Sequence, residues 1–154
     1  PIELTAEWYD SDGNYLDNAN AYLQTLGGGE TWAARVYALV DQEKIDDFEL
    51  KGGFTEEPPN FGPDGLSVAS SELKVGENEA VVTGTVENTR EESVDYIQAI
   101  ATIYNADGVV LGDNYTNTTE VPAGRNWSFE TSWRGRGRTN EADSHNVYMS
   151  DSVL

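Results

Sequence analysis

The chain has 154 residues, 38% hydrophobic and 10% aromatic, enough apolar surface for a sheet-built core and too much for disorder throughout. With 28 Asp and Glu against 9 Lys and Arg its formal net charge is −19, which excludes nucleic acid and anionic membrane, both bound through clustered basic residues, as expected partners. Cysteine is absent, which excludes a disulfide framework, a thiolate metal site and a cysteine nucleophile.

The acids are spread through strand-like segments instead of forming a block, so they do not mark a charged tail. At ordinary ionic strength such a surface repels itself. The screening length falls from about 8 Å at 0.15 M salt to about 3 Å at 1 M, so molar salt relieves the repulsion. A halophilic origin is the expectation. No run of about 18 apolar residues predicts a transmembrane helix, and the sequence opens on Pro1-Ile2-Glu3-Leu4 with no leader, read as a processed or trimmed start.

A repeat organises the chain. Ile2 to Tyr37 lies over Ile97 to Ser132 at an offset of 95 without a gap. Ile2/Ile97, Ala6/Ala101, Tyr9/Tyr104, Asp12/Asp107, Gly13/Gly108, Leu16/Leu111, Gly29/Gly124 and Trp32/Trp127 are identical. Each copy predicts strand, turn, strand, turn, strand. In the first, a strand ends at Tyr9, Asp10-Ser11-Asp12-Gly13-Asn14 turns the chain, and a third strand holds Trp32. The copy closes on Ile45-Asp46-Asp47-Phe48-Glu49-Leu50, and residues 51–65, rich in Gly and Pro, have linker composition.

Leu66 to Lys74 and Glu79 to Glu87 read as two strands that precede the second copy. Within it Val94 to Tyr104 alternates faces, Asn105-Ala106-Asp107-Gly108 turns, and Val109 to Thr116 returns. A turn through Val121-Pro122-Ala123-Gly124 leads into Asn126 to Trp133, whose aromatics share one face, and a last strand runs through Asn146-Val147-Tyr148-Met149. The expectation is an all-β chain of two tandem immunoglobulin-like antiparallel β-sandwich modules: a partial one at 1–50 lacking its N-terminal strands, a linker at 51–65, and a complete one at 66–154. The incomplete first copy leaves an unpaired sheet edge, which invites pairing with another chain, a second copy included.

Ala101-Thr102-Ile103-Tyr104-Asn105 and Ala6-Glu7-Trp8-Tyr9-Asp10, with Val82 to Thr89, Asp107-Gly108 and Leu111, and Val121 to Gly124 followed by Trp127, resemble the FxLYD domain family. Both copies depart from the name-giving pattern, with Ala for its Phe and Trp or Ile for its Leu. The resemblance implies an immunoglobulin-like sandwich of exported, often lipid-anchored surface proteins, many haloarchaeal, with no catalytic residue to carry over.

Asp10, Asp12 and Asp107 open segments like the start of calcium loops, but the Gly comes early and no bidentate Glu follows, so the turn reading is favoured and no metal or cofactor is expected. The acid pairs Glu91-Glu92, Glu56-Glu57 and Asp46-Asp47 carry the weaker hydrolase alternative; neighbours on a strand point to opposite faces. The single His145 has no evident partners for a triad or zinc site. Trp133 with Arg134, Arg136 and Arg138 is the one basic cluster and a candidate ligand or partner contact. Asn114 and Asn117 are candidate glycosylation sites, preferred to Asn126, whose strand is expected to be packed.

The function expected is therefore non-enzymatic: an extracellular or cell-surface module of a halophile, used for spacing or for binding a protein or glycan. The alternative is a carbohydrate-binding module using Trp8, Trp32, Trp127 or Trp133 as a platform.

Overall fold

The computed structural model describes residues 1–55 and 64–150. The chain is all-β, with nine antiparallel strands in three three-stranded sheets and no α-helix among the described residues. The strands are β1 (Ile2–Tyr9), β2 (Tyr15–Leu23), β3 (Asp47–Phe54), β4 (Leu66–Val75), β5 (Ala80–Asn88), β6 (Val94–Tyr104), β7 (Val110–Val121), β8 (Asn126–Trp133) and β9 (Ser144–Ser150). No helix in the described residues is long and apolar enough to cross a membrane.

The chain divides into two compact units: Pro1–Gln24 with Ala34–Glu57, and Thr25–Ala33 with Pro58–Leu154. The first holds one sheet, sheet A, in the order β2-β1-β3. The second holds sheet B, β4-β5-β8, and sheet C, β7-β6-β9, which enclose one core. Ile97, Ala99, Ala101 and Ile103 alternate along β6 and, with Met149, meet Leu66, Ala80, Val82, Val86, Phe129 and Trp133 from sheet B. That period of two is what a half-buried strand requires, and burying each large aliphatic or aromatic side chain stabilises by roughly 1.5–3 kcal/mol.

The repeat is a repeat of sheets. Sheet A copies sheet C strand for strand, down to the register shift at Trp8/Tyr9 in one and Ile103/Tyr104 in the other. The Asp-Gly turns are alike. Asp10 Oδ1 accepts from the amides of Asp12 (3.0 Å) and Asn14 (2.8 Å), and Asn105 Oδ1 from those of Asp107 (3.0 Å) and Val109 (2.8 Å). Gly13 and Gly108, at φ +79° and +76°, complete turns that a side chain would strain. The amide of Asp46 bonds the carbonyl of Tyr9, and that of Asp143 the carbonyl of Tyr104, both at 2.9 Å, so β3 and β9 enter their sheets the same way.

Three expectations are corrected. The third strand of the first copy, around Trp32, does not form: in the second copy β8 pairs with β5, no counterpart of β5 lies in the first unit among the described residues, and a strand without a ladder partner is not stable. Thr25–Ala33 belongs instead to the second unit, where Thr25 Oγ1 and Ser150 Oγ lie 3.1 Å apart. The linker does not start at 51, because Lys51–Phe54 continues β3 opposite Thr5 to Ile2; Gly52 lets Leu4 lie across it, where a Cβ would stand 2.6 Å from Leu4 Cδ2. Most of the remainder expected of the linker lies outside the described residues.

Candidate interaction surface

Alternation divides sheet A into two faces. Ile2, Leu4, Ala6 and Trp8 of β1 share one face with Ala19, Ala21 and Leu23 of β2 and with Phe48, Leu50 and Phe54 of β3. Toward β1 and β2 this face is partly covered, with Ala6, Trp8 and Leu23 buried and Ile2, Leu4, Ala19 and Ala21 half-buried. Toward β3 it is open: Phe48 is 60% exposed, Leu50 61% and Phe54 71%. With full burial of each worth roughly 1.5–3 kcal/mol, the strand leaves most of that stabilisation unused. A row of large apolar side chains on one edge is what a soluble monomer rarely keeps without a use.

The edge itself is free on one side. β3 pairs with β1 and with no other strand among the described residues, and all eight of its residues are exposed. An unpaired edge presents a row of amides and carbonyls ready for another strand.

The opposite face of β3 is charged. Lys51 Nζ lies 2.6 Å from Glu7 Oε2 and 3.7 Å from Glu49 Oε2, and Tyr9 Oη donates to Glu7 at 2.7 Å. Lys51, then Tyr9, holds the Glu7 carboxyl below the usual carboxylate range, while Glu7 pushes Lys51 and Tyr9 up. The one lysine of the strand is thus engaged by two carboxylates. Asp46, Asp47 and Glu49, with Asp10 across a shallow cavity of about 480 Å³, leave the entrance to β3 acidic. Sequence reasoning named the open edge but not the apolar row, because it ended this strand at Leu50 and so left out Phe54.

The residues singled out from the sequence are scattered. Asp10 spends its carboxylate on the turn, with Asn14 Nδ2 adding a third bond at 3.0 Å, and these bonds hold it below the usual range. Asp12 and Asp107 are exposed on their turns, and among the described residues no three His, Asp or Glu side chains gather as metal ligands do. Trp133 is no exposed platform. It is 9% exposed in the core, packed so closely on Gly112 and Gly135 that a Cβ at either would overlap its indole.

The arginines that follow diverge. Arg138 forks onto Glu141, with Nη2 to Oε2 at 2.8 Å and Nε to Oε1 at 3.1 Å; Arg134 lies 3.9 Å from Glu79, and exposed Arg136 turns the loop at φ 47°. Trp8 is buried, and Trp32 and Trp127 are half-buried, Trp127 against the core. Asn114 is exposed but donates to the Ser132 carbonyl at 2.5 Å; Asn117 is exposed, and so is Asn126, the outward first residue of β8, which was expected to be packed.

Glu91, Glu92, Asp46 and Asp47 are exposed, and Glu56 and Glu57 lie outside the described residues. His145 Nε2 meets Ser71 Oγ at 2.9 Å, joining β9 to β4, and burial pulls its imidazole below the usual range. On the outer face of sheet B a groove of about 600 Å³ is lined by Ser70, Thr85 and Ser128, with Glu72 and Glu130 either side of Thr83; it holds no exposed aromatic ring.

No family model matches the chain, and no curated protein does. Among solved structures it is similar to a DUF1425 family member from Shewanella sp. pv-4, at 11% identity over 58% of this chain and 80% of that one, with a TM-score of 0.44. A β-glucuronidase from Bacteroides uniformis is similar at 18% identity and a TM-score of 0.33; the match covers 85% of this chain but 19% of the glucuronidase. A tandem CBM22 domain from Paenibacillus barcinonensis is similar at 12% identity over 99% of this chain and 66% of its own, with a TM-score of 0.24.

Proposed function

We propose that this chain is a non-enzymatic, extracytoplasmic protein-interaction module of a salt-adapted organism. Its two repeats are tandem immunoglobulin-like modules of the FxLYD type, the first carrying one sheet and the second two. The observation that carries the interaction role is β3: an edge strand with eight exposed residues and three large apolar side chains on one face. Support for the environment comes from the net charge of −19 over the whole chain, with acids on all three sheets and in the turns between strands. The order of the FxLYD-like segments supports the surface location.

A photo-crosslinking residue placed at Phe48 tests this in the producing organism, with the same residue at exposed Tyr115 of β7 as control. On intact cells the Phe48 position is expected to give a discrete protein adduct, absent at Tyr115, and added protease is expected to remove it. An adduct with saccharide, none with any protein, or a chain that protease cannot reach from outside would contradict the role.

A further inference from the structure

We infer that β3 is an acceptor for a strand of a partner protein, one with apolar residues on one face and Lys or Arg on the other; this rests on the interaction role above and names its site and chemistry. The two repeats supply the argument. In the second, β9 holds the place of β3 and is likewise the edge of its sheet, but β4 of the facing sheet packs against it, with His145 Nε2 on Ser71 Oγ at 2.9 Å. The core face of β9 is covered by sheet B, so that Met149 is 1% exposed and Val147 half-buried against the core. In the first repeat the same positions on β3 are Gly52 and Leu50.

Leu50, with Phe48 and Phe54 beside it, stays in solvent, and no strand lies beyond β3 among the described residues. Among the described residues the first repeat therefore offers a free edge beside an apolar row that no facing sheet covers.

Charge decides the occupant. A strand added to β3 sets its alternate side chains beside Asp47 and Glu49 on one face and beside Phe48 and Leu50 on the other, since side chains alternate and cross-strand neighbours interact. Asp46 lies at the entrance, and Lys51 is already engaged by Glu7 and Glu49. Basic side chains answer that face. A second copy, itself at −19, meets like charge.

The full chain, labelled with nitrogen-15, is titrated with a synthetic peptide of about eight residues, a usual strand length, alternating valine with lysine, and with a counterpart carrying glutamate for lysine. The lysine peptide is expected to shift the amides of Asp47–Phe54. The glutamate counterpart, and the lysine peptide on Leu50→Glu or Phe48→Ser, are expected to bind at least about tenfold more weakly, a loss near 1.4 kcal/mol. Tyr115→Ser is expected to bind as the parent does. Both substituted side chains on β3 are exposed, so the variants keep the fold.

Equal binding of both peptides, or shifts spread over the acidic faces of other strands, would overturn the assignment. So would light scattering that shows a dimer abolished by Leu50→Glu without peptide, since the occupant would then be a second copy. Shifts confined to another surface would overturn this site and leave the interaction role to be decided by the crosslinking and protease outcomes on cells.

Discussion

Phe48 and His145 hold the same place in two copies of one sheet. Phe48 stands opposite Trp8 and His145 opposite Ile103, which are repeat positions, yet Phe48 is 60% exposed while His145 is partly buried and bonds Ser71. The difference is what lies alongside: β4 flanks β9, and nothing among the described residues takes that place beside β3. Stability effects should follow cover, not residue type. Leu50→Ala in β3 is expected to change unfolding free energy by less than about 0.5 kcal/mol, and Met149→Ala in β9 to cost about 2–5 kcal/mol, measured by urea denaturation.

The Asp-Gly turns contain their own control. Asp10 and Asn105 make the same pair of bonds to the backbone amides that follow, but only Asp10 carries charge. Its folded carboxyl is held below its unfolded value by Asn14 and the amide of Asp12, so its stabilisation is present above about pH 4 and is lost as pH falls through the lower folded value. Asp10→Asn is expected to keep the turn, as Asn105 does, and to remove that acid-side dependence. Asp10→Ala is expected to lose the turn at every pH. Carbon-detected NMR titration and amide exchange at Asp12 and Asn14 check both.

Tyr148 of β9 is 1% exposed, and its hydroxyl has no hydrogen-bond partner among the described residues. Burial, helped by the Tyr104 and Glu30 charges, pushes the phenol far above its ordinary value. Keeping an unpaired hydroxyl buried costs about 1–3 kcal/mol. Tyr148→Phe is therefore expected to leave stability unchanged or to raise it by about 1 kcal/mol. Because the folded phenol keeps its proton when the unfolded one loses it near pH 10, the parent is expected to weaken more steeply than the variant as pH rises past 10, the raised Tyr9 and Lys51 being common to both. Thermal unfolding across an alkaline series measures this.

The surplus of acids makes a salt series informative. The ion pairs around Lys51 and Arg138 are exposed and few against a net charge of −19. Raising sodium chloride from about 0.1 M, where the screening length is about 10 Å, to molar levels is expected to raise the unfolding temperature, by about 4–8 °C for each kcal/mol of repulsion relieved in a small domain. A flat response would remove the case for salt adaptation.

Much of the fold was legible because local rules write it. Asp-Gly between alternating runs marks both hairpins, and the limits of β6 and β8 follow from alternation bounded by turn residues. What was not legible is set by partners far away in sequence. Residues around Trp32 carry a β8-like pattern, but no strand among the described residues pairs with them. β7 runs on to Val121 because Val94 waits opposite, and Lys51–Phe54 stays in β3 through two glycines because β1 extends back to Ile2. The fate of Trp133 was open for the same reason: an aromatic that ends a strand beside three arginines suits a platform until Gly112 and Gly135 receive it. The open edge followed from comparing the two copies, since the first shows no sequence equivalent of β4 and β5 within the residues given. Its apolar row needed the register.

The most direct test of the central claim is native-state hydrogen exchange at residue resolution on the dilute chain without peptide. Amides of β3 that point away from β1 are expected to exchange at nearly unprotected rates in alternation with protected ones, while those of β6, flanked by β7 and β9, are protected throughout. Uniform protection along Asp47–Phe54 at the highest dilution would mean that the edge is already occupied and would contradict the account.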